Sequence, residues 1–147
     1  MNKKIRIAVL VSGNGTNLQA LINAKKNKII KSGKIELVIS NNSNAFALKR
    51  AEKSKIPFEI ISKKECKKIE EFEKKLKEIL KSYKIELIVL AGFMRILPPS
   101  ITSKYANKII NLHPSLLPSF KGKDAIKQAF DCGVKITGCT VHFVNDE

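Results

Sequence analysis

Asn111 and His113 are the residues whose types and spacing could do chemistry. They stand two positions apart at the end of the apolar run that begins at Ile109, and Pro114 follows them. Alternate residues of a strand share a face and a proline ends the backbone ladder, so both side chains are predicted at the rim of a sheet. A carboxamide donates hydrogen bonds, and an imidazole exchanges a proton near neutral pH. The pair is therefore the candidate active centre, although polar residues in turns also serve as caps and hydrogen-bonding partners.

A glycine-containing turn supplies a second candidate site. Residues 12–17 (SGNGTN) separate the apolar run 5–11 from a helical period that starts at Leu18. A strand, a glycine turn and a helix N-terminus together bind anions, because backbone N–H groups converge there and the helix dipole favours negative charge. Thr16 and Asn17 are expected to cap the helix and to donate hydrogen bonds. The turn predicts a phosphate site, with a plain strand-to-helix connection as the alternative.

The phosphate is predicted to belong to a ligand smaller than a dinucleotide. The dinucleotide fingerprint needs a third glycine where this chain has Leu18, and an acidic residue at the tip of the second strand. That tip, residues 39–42 (ISNN), has no carboxylate. A Walker loop is excluded as well, because no Gly-Lys-Ser/Thr sequence follows at the required spacing. A dinucleotide oxidoreductase is accordingly disfavoured.

Apolar runs and helical periods alternate along the chain, and they predict the elements that must position these residues. Strands that alternate with helices specify an α/β fold with a doubly wound, mostly parallel sheet. The 147 residues fit a single domain, 1–147. Besides the strand that ends at His113, strands are predicted at 5–11, 35–40, 57–61, 85–90 and 136–144. Helices are predicted from Leu18, over 44–54, from a capping box at Ser62–Glu65 to Tyr83, over 99–106 and over 123–131.

Two further segments carry an expectation. The connection after the fourth predicted strand, residues 91–99 (AGFMRILPP), is unusually apolar for a loop. It either packs against the protein or forms the wall of a pocket for a flat hydrophobic ligand. His142 lies within the alternating VHFV segment of the last strand, and it is predicted to be a hydrogen-bonded structural histidine rather than a ligand.

Composition restricts the compartment and the partners. The three cysteines form no CxxC pair and no spacing that suits a zinc site, so a cytoplasmic protein without a metal is predicted. The longest uncharged apolar run, residues 87–94, is too short to span a bilayer. The net charge of +15 would attract polyanions, but 25 lysines against 3 arginines and an aromatic content of 6% are not typical of a specific nucleic-acid reader. A non-catalytic basic module that binds RNA stays open as an alternative function.

Three segments in matching order carry a resemblance to a known enzyme family. They are SGNGTNL after the first predicted strand, LAGFMRIL after the fourth and NLHPSLLPSFKG around His113. From Ile7 to the last residue the chain resembles the phosphoribosylglycinamide formyltransferases, which are folate-dependent enzymes of purine synthesis. Relatives such as methionyl-tRNA formyltransferase and formyltetrahydrofolate deformylase share NLHPSLLP, so another folate-dependent formyltransferase or the deformylase is the nearest alternative. The SGNGTN turn favours the ribonucleotide enzymes.

The resemblance implies a Rossmann-like fold, a reaction and its reactants. A formyl group would pass from 10-formyltetrahydrofolate, the donor co-substrate, to the amine of glycinamide ribonucleotide. An oxyanion develops when the amine attacks the formyl carbon, and a proton must move as that oxyanion collapses. The family positions matched here are Gly15, Thr16 and Asn17 for the ribonucleotide phosphate, Met94, Arg95, Ile96, Leu97 and Asn111 for folate, and Asn111 and His113 for catalysis.

The chain departs from the family pattern at two places. A folate-contacting arginine near the third helix is replaced by residues of the segment 67–69 (KKI). The family's catalytic aspartate, in an Asp-Glu-Leu-Asp-Gly-Gly run, would fall after Glu147, and neither Asp146 nor Glu147 occupies its position. We therefore expect the N-terminal portion of a longer enzyme, truncated before that aspartate and inactive or impaired as it stands. We also expect it to self-associate through uncovered apolar surface.

Overall fold

The sheet and its flanking helices have the predicted doubly wound arrangement. The computed structural model describes residues 3–62 and 64–144, and in this part of the chain six strands form one sheet. Strands β1 to β5 are parallel, and β6 runs antiparallel to β5. The elements in chain order are β1 (Ile5–Val11), α1 (Thr16–Lys26), β2 (Gly33–Ser40), α2 (Phe46–Lys53), β3 (Phe58–Ile60), α3 (Ile69–Ser82), β4 (Leu87–Leu90), α4 (Pro99–Lys104), β5 (Ile109–His113), α5 (Ala125–Cys132) and β6 (Thr140–Phe143).

The strand order places a topological switch point between β1 and β4. The order across the sheet is β3-β2-β1-β4-β5-β6, so the chain builds outward from β1 in one direction and then from β4 in the other. Open α/β sheets bind ligands in the crevice outside the carboxyl ends of the strands at such a point. The glycine turn follows β1, the apolar connection follows β4, and the Asn111–His113 pair ends β5. All three candidate segments therefore lie at the same edge of the sheet.

β1 forms the centre of the molecule because its two faces contribute to two different cores. Ala8 and Leu10 belong to the core that contains Phe72 and the other buried residues of α3. Val9 and Val11 belong to the core on the opposite face, with the buried residues of α1 and α2. Because both faces are covered, the strand is apolar at nearly every position, as in parallel sheets generally.

Helix α3 begins later than the sequence pattern predicts. At Ser62 the hydroxyl oxygen accepts a hydrogen bond from the Glu65 N–H (3.3 Å) and the carbonyl accepts one from the Cys66 N–H (3.0 Å), which closes a turn that does not continue as helix. The helix starts at Ile69, and the Lys68 N–H donates to the Glu71 carboxylate (3.3 Å). The capping box at 62–65 is therefore wrong as the start of this helix; its second residue lies outside the described residues.

Strands β5 and β6, which frame the candidate active centre, differ in how closely they match the ranges predicted from the sequence. β5 ends at His113, as predicted from Pro114. β6 is confined to Thr140–Phe143 and does not extend over the whole alternating segment 136–144. Its register pairs Asn111 with His142. No helix among the described residues is both long and apolar enough to cross a membrane.

Candidate active site

The glycine turn after β1 presents the open N-terminus of α1 at the crevice. Gly15 is the N-cap residue, with φ 75°, and Thr16 and Asn17 are the first helical residues rather than caps. No side chain caps the helix. The first amides of an α-helix have no intrahelical partner, so here they remain free to bind an anion. A Cβ at Gly15 would stand 2.6 Å from the Cβ of Ala47, so only glycine fits.

Residues of helix α2 hold the glycine turn in place through hydrogen bonds. The Arg50 guanidinium donates to the Asn14 backbone carbonyl (2.8 Å) and to the Asn14 side-chain oxygen (3.2 Å). It also donates to Gln19 in α1 (3.3 Å) and lies 4.9 Å from the centre of the Phe46 ring. The Ala47 N–H donates to the Gly13 carbonyl (3.1 Å). Sequence reasoning missed Arg50, because its spacing from the turn carries no signal of this contact.

The apolar connection between β4 and α4 is partly packed and partly exposed. Phe93 packs on the core and stacks with Phe72, and Leu97 is buried in the same core. Met94 is 76% exposed and Ile96 is 87% exposed. The expected packing is confirmed at Phe93 and Leu97, and the expected role in binding a flat ligand stays a prediction for the exposed positions.

The Arg95 side chain is directed into the protein and away from the crevice. Its guanidinium carbon lies 3.8 Å from the centre of the Phe72 ring, and one terminal nitrogen donates to the Cys66 carbonyl (3.4 Å). A cation over an aromatic face, held by a carbonyl, is a packing arrangement between the loop and α3. Any contact of Arg95 with a ligand in the crevice is thus left to its backbone.

Asn111 is held by the histidine that faces it across the sheet. The Asn111 Nδ2 group donates to His142 Nε2 (3.3 Å). His142 Nδ1 donates to the Phe143 carbonyl (3.0 Å), which leaves Nε2 as the acceptor. One carboxamide hydrogen is thereby fixed, and the second is available to a ligand. His142 is hydrogen-bonded as predicted, but the sequence did not reveal that its partner is Asn111.

His113 is oriented by the loop that follows it. Its Nε2 lies 2.9 Å from the Phe120 carbonyl, and because a carbonyl only accepts, Nε2 is the donor. Nδ1 is left as the nitrogen that can exchange a proton with a ligand. The loop is fixed in turn by Thr140, whose hydroxyl donates to the Ser115 carbonyl (2.8 Å) and accepts from the Leu117 N–H (3.0 Å).

The three candidate segments meet at one cavity of about 420 Å³. The glycine turn contributes Asn17, the β4–α4 connection contributes Met94, and the end of β5 contributes both Asn111 and His113. Lys123 and Asp124 complete the wall of the cavity, and the sequence did not predict them as site residues. The full lining is Asn17, Gly92, Phe93, Met94, Asn111, Leu112, His113, Pro114, Gly122, Lys123 and Asp124.

The remaining predicted site residues lie around the cavity in different ways. Gly15 and Thr16 shape the helix N-terminus beside it, whereas the side chains of Arg95 and Leu97 are engaged in packing. Lys123 and Asp124 are additional charged groups in its wall, and Asp124 has φ 55° at the start of α5. The two acidic residues considered at the end of the sequence, 146 and 147, lie outside the described residues.

Comparison with known proteins identifies the family of the chain. The formyl transferase family model matches residues 5–147. The trifunctional purine biosynthetic protein adenosine-3 of Gallus gallus is 48% identical over 144 residues, which are 98% of this chain and 14% of that protein. The phosphoribosylglycinamide formyltransferase of Haemophilus influenzae is 44% identical over 142 residues, which are 97% of this chain and 66% of that protein. The chain therefore spans just under two thirds of the bacterial relative and a small part of the trifunctional one.

A solved structure extends the agreement to three dimensions. The crystal structure of glycinamide ribonucleotide transformylase 1 from Geobacillus kaustophilus superposes with a TM-score of 0.94 at 40% sequence identity. The match covers 98% of this chain and 76% of that one. Sequence and fold lead to the same assignment: this chain belongs to the formyl transferase family.

Proposed function

We propose that the chain is a phosphoribosylglycinamide formyltransferase domain spanning residues 1–147. The reaction that this domain serves is the transfer of the formyl group of 10-formyltetrahydrofolate to the amine of glycinamide ribonucleotide in purine synthesis, and residues 1–147 are proposed to bind both reactants. One observation carries the proposal: Asn17 of the glycine turn, Met94 of the apolar loop, and the pair Asn111 and His113 line the same cavity. Two relatives that match nearly the whole chain are named a trifunctional purine biosynthetic protein and a phosphoribosylglycinamide formyltransferase.

The phosphate of the ribonucleotide binds at the glycine turn. The free amides at the start of α1 and the positive end of its dipole favour a phosphate, and Arg50 adds a positive charge that already holds the turn. Gly15, Thr16 and Asn17 supply the backbone and side-chain donors. Because Asn17 also lines the cavity, a ribonucleotide bound here extends its amine toward Asn111.

The folate binds along the β4–α4 connection. Exposed Met94 and the backbone of the loop around it give one apolar wall for a flat ring system. Arg95 and Leu97 contribute through backbone groups, because their side chains are engaged in packing. Ile96 also contributes through its backbone, because its exposed side chain is not part of the cavity lining. Asn111 closes this part of the site from the end of β5.

Asn111 and His113 carry out the chemical step. The ribonucleotide amine attacks the formyl carbon, and the carbonyl electron pair moves to oxygen. The second Nδ2 hydrogen of Asn111, which His142 does not use, donates to that oxyanion. On collapse the bond between carbon and folate N10 breaks. Protonated His113 supplies a proton from Nδ1 to folate N10, and the attacking nitrogen then gives its extra proton to the neutral imidazole, so that the amide and tetrahydrofolate are formed and His113 is protonated again.

The proposed setting is the cytoplasm. Cys132 and Cys139 are exposed free thiols and Cys66 is a buried one. Free thiols of this kind are typical of a reducing compartment. The reactants of the proposed reaction, a ribonucleotide and a folate, are small soluble molecules.

Ligand binding tests the proposal directly. Calorimetric titration should show that the chain binds both glycinamide ribonucleotide and a non-transferring 10-formyl folate analogue. Asn17→Ala should weaken ribonucleotide binding by about tenfold, because one hydrogen bond to a charged group is lost. The affinity for the folate analogue should not change. Glycinamide riboside, which lacks the phosphate, is the matched ligand control and should bind the wild-type and variant chains equally.

The alternatives give different results in the same titrations. A folate-dependent deformylase or a formyltransferase for another acceptor would bind the folate analogue, and Asn17→Ala would not weaken any ribonucleotide binding. A basic RNA-binding module would form a complex with RNA that weakens steeply with salt, and it would not bind the folate analogue. Either pattern would refute the proposed function.

A further inference from the structure

Ser12 joins the two loops that flank the switch point of the sheet. It follows the last residue of β1, and its hydroxyl oxygen accepts a hydrogen bond of 2.7 Å from the backbone N–H of Met94. The two residues are 82 positions apart in sequence. The Ser12 carbonyl also accepts from the Asn42 side chain (3.3 Å), which follows β2. Ser12 therefore links the carboxyl ends of β1, β2 and β4.

This hydrogen bond fixes the side of the β4–α4 connection that faces the glycine turn. The other anchors of that connection run toward α3, where Phe93 and Arg95 both contact the Phe72 ring. Gly92 precedes them with φ 73° and open space where a Cβ would lie, so no side-chain packing restrains the loop there. The Ser12 hydroxyl thus holds the Met94 backbone on the side of the glycine turn.

We propose that Ser12 is a positioning residue that couples the two substrate subsites. The inference rests on the proposed function, in which the glycine turn binds the ribonucleotide phosphate and the Met94 loop binds the folate. A phosphate that orders residues 13–17 also orders Ser12 at the start of the same turn. Ser12 in turn holds the Met94 N–H, so the folate wall is formed in advance and folate binds more tightly. By reciprocity, bound folate tightens the ribonucleotide by the same factor.

Equilibrium binding measures this coupling. The dissociation constant of the folate analogue is determined by titration with and without saturating glycinamide ribonucleotide. In the wild-type chain the ribonucleotide should lower the dissociation constant of the folate analogue about threefold to tenfold, which is the range expected for one hydrogen bond. Ser12→Ala removes the acceptor, so the ratio should fall to about one. Ser12→Thr keeps a hydroxyl at this position and should restore most of the ratio.

A control substitution at a second serine shows whether any effect of Ser12→Ala is specific to that position. Ser82 lies at the end of α3, and its hydroxyl donates to the Ile79 carbonyl (2.9 Å) on the exposed side of that helix. Ser82→Ala should preserve the full wild-type ratio. If Ser12→Ala does not fold, hydrogen exchange of the Met94 amide in the wild-type chain decides the question, because this exchange should slow several-fold when ribonucleotide binds.

The outcomes that overturn the inference differ from those that overturn the proposed function. If the wild-type chain binds both ligands independently, or if Ser12→Ala keeps the wild-type ratio, the coupling is refuted while the function stands. The coupling is also refuted if ribonucleotide binding does not change the hydrogen-exchange rate of the Met94 amide. A wild-type chain that binds neither ligand would refute the proposed function, and the coupling with it.

Discussion

The groups proposed to touch ligand are each held in place by a residue that does not. Arg50 holds the glycine turn, His142 holds Asn111, and the Phe120 carbonyl holds the ring of His113. Each contact fixes the direction of a hydrogen-bonding group before any ligand arrives. Such preorganisation keeps donors aimed at the place where charge develops in a reaction.

Gly15 is the position in the turn where a side chain should be least tolerated. Its φ of 75° is unfavourable for other residues, and an added Cβ would meet Ala47 at 2.6 Å. We expect Gly15→Ala to lower the free energy of unfolding by about 2 kcal/mol and to weaken phosphate binding, because the turn must open to relieve the contact.

Gly13 provides the matched control for this prediction. It lies in the same turn, and a Cβ there would meet no atom within 4 Å. Gly13→Ala should therefore leave the free energy of unfolding nearly unchanged in urea titrations. Equal destabilisation by the two substitutions would mean that the contact with Ala47 does not shape the turn.

Arg95 and Met94 are adjacent, but their side chains should have separable effects. The Arg95 guanidinium covers the Phe72 ring at 3.8 Å, so Arg95→Ala should cost about 1–2 kcal/mol of stability through lost packing and cation–π attraction. Met94 is 76% exposed and lines the cavity, so Met94→Ala should keep stability and weaken the folate analogue severalfold. Chemical denaturation and folate titration of both variants measure the two effects. The prediction is contradicted if Met94→Ala lowers stability while Arg95→Ala weakens folate binding without lowering stability.

At the scale of elements, the sequence predicts well those strands and helices whose local pattern agrees with their packing. β1 was predicted over the observed residues because it is apolar on two buried faces. β5 ends at His113 because Pro114 cannot extend the ladder. α3 begins at Ile69 and not near Ser62, because the turn at Ser62 ends after one set of hydrogen bonds, which the capping pattern does not reveal.

The contacts that complete the candidate site could not be predicted in the same way. Arg50 and Asn14 are 36 positions apart, and Asn111 and His142 are 31 positions apart. Such pairs form only when strand order and register are settled, and neither helical nor strand periodicity encodes them. The cavity residues that were predicted came from turn chemistry and resemblance, whereas Lys123 and Asp124 carried no comparable signal.

Glu86 connects β4 to β1, and its titration should affect stability. Its carboxylate accepts a hydrogen bond from the Arg6 backbone N–H (3.1 Å) and lies 3.5 Å from the Lys3 ammonium. The hydrogen bond from the Arg6 backbone, supported by the charge of Lys3, lowers the pKa of Glu86 from its ordinary value. A depressed carboxyl pKa contributes stability above its unfolded value and loses it as pH falls through the folded pKa.

Glu86→Gln should therefore flatten the acid limb of the stability profile. Thermal unfolding midpoints measured from neutral pH down to about pH 3 should fall less steeply in the variant than in the wild-type chain. Glu78→Gln removes a charge from the exposed face of α3, so it controls for the change in net charge. Identical slopes for Glu86→Gln and the wild type would show that this hydrogen bond does not stabilise the folded state.

At the scale of the whole molecule, helix α5 and strand β6 both carry large apolar side chains that are exposed. On α5, Ile126 is 69% exposed and Phe130 is 84% exposed, and they are four residues apart on one face of the helix. On β6, Val141 and Phe143 are also exposed and share one face of the strand. Exposed apolar side chains in such numbers are typical of interaction sites and of association.

The exposed face of α5 should drive self-association of the chain. Burial of a Phe or Ile side chain contributes about 1.5–3 kcal/mol, so Ile126→Ser with Phe130→Ser should weaken association at least about tenfold. Sedimentation velocity over a range of concentrations measures this change. Ile29→Ser is the matched control, because Ile29 is 72% exposed in the connection between α1 and β2, away from α5 in the chain. A chain that stays monomeric at high concentration, or that associates equally with and without the α5 substitutions, would show that this face is not the interface.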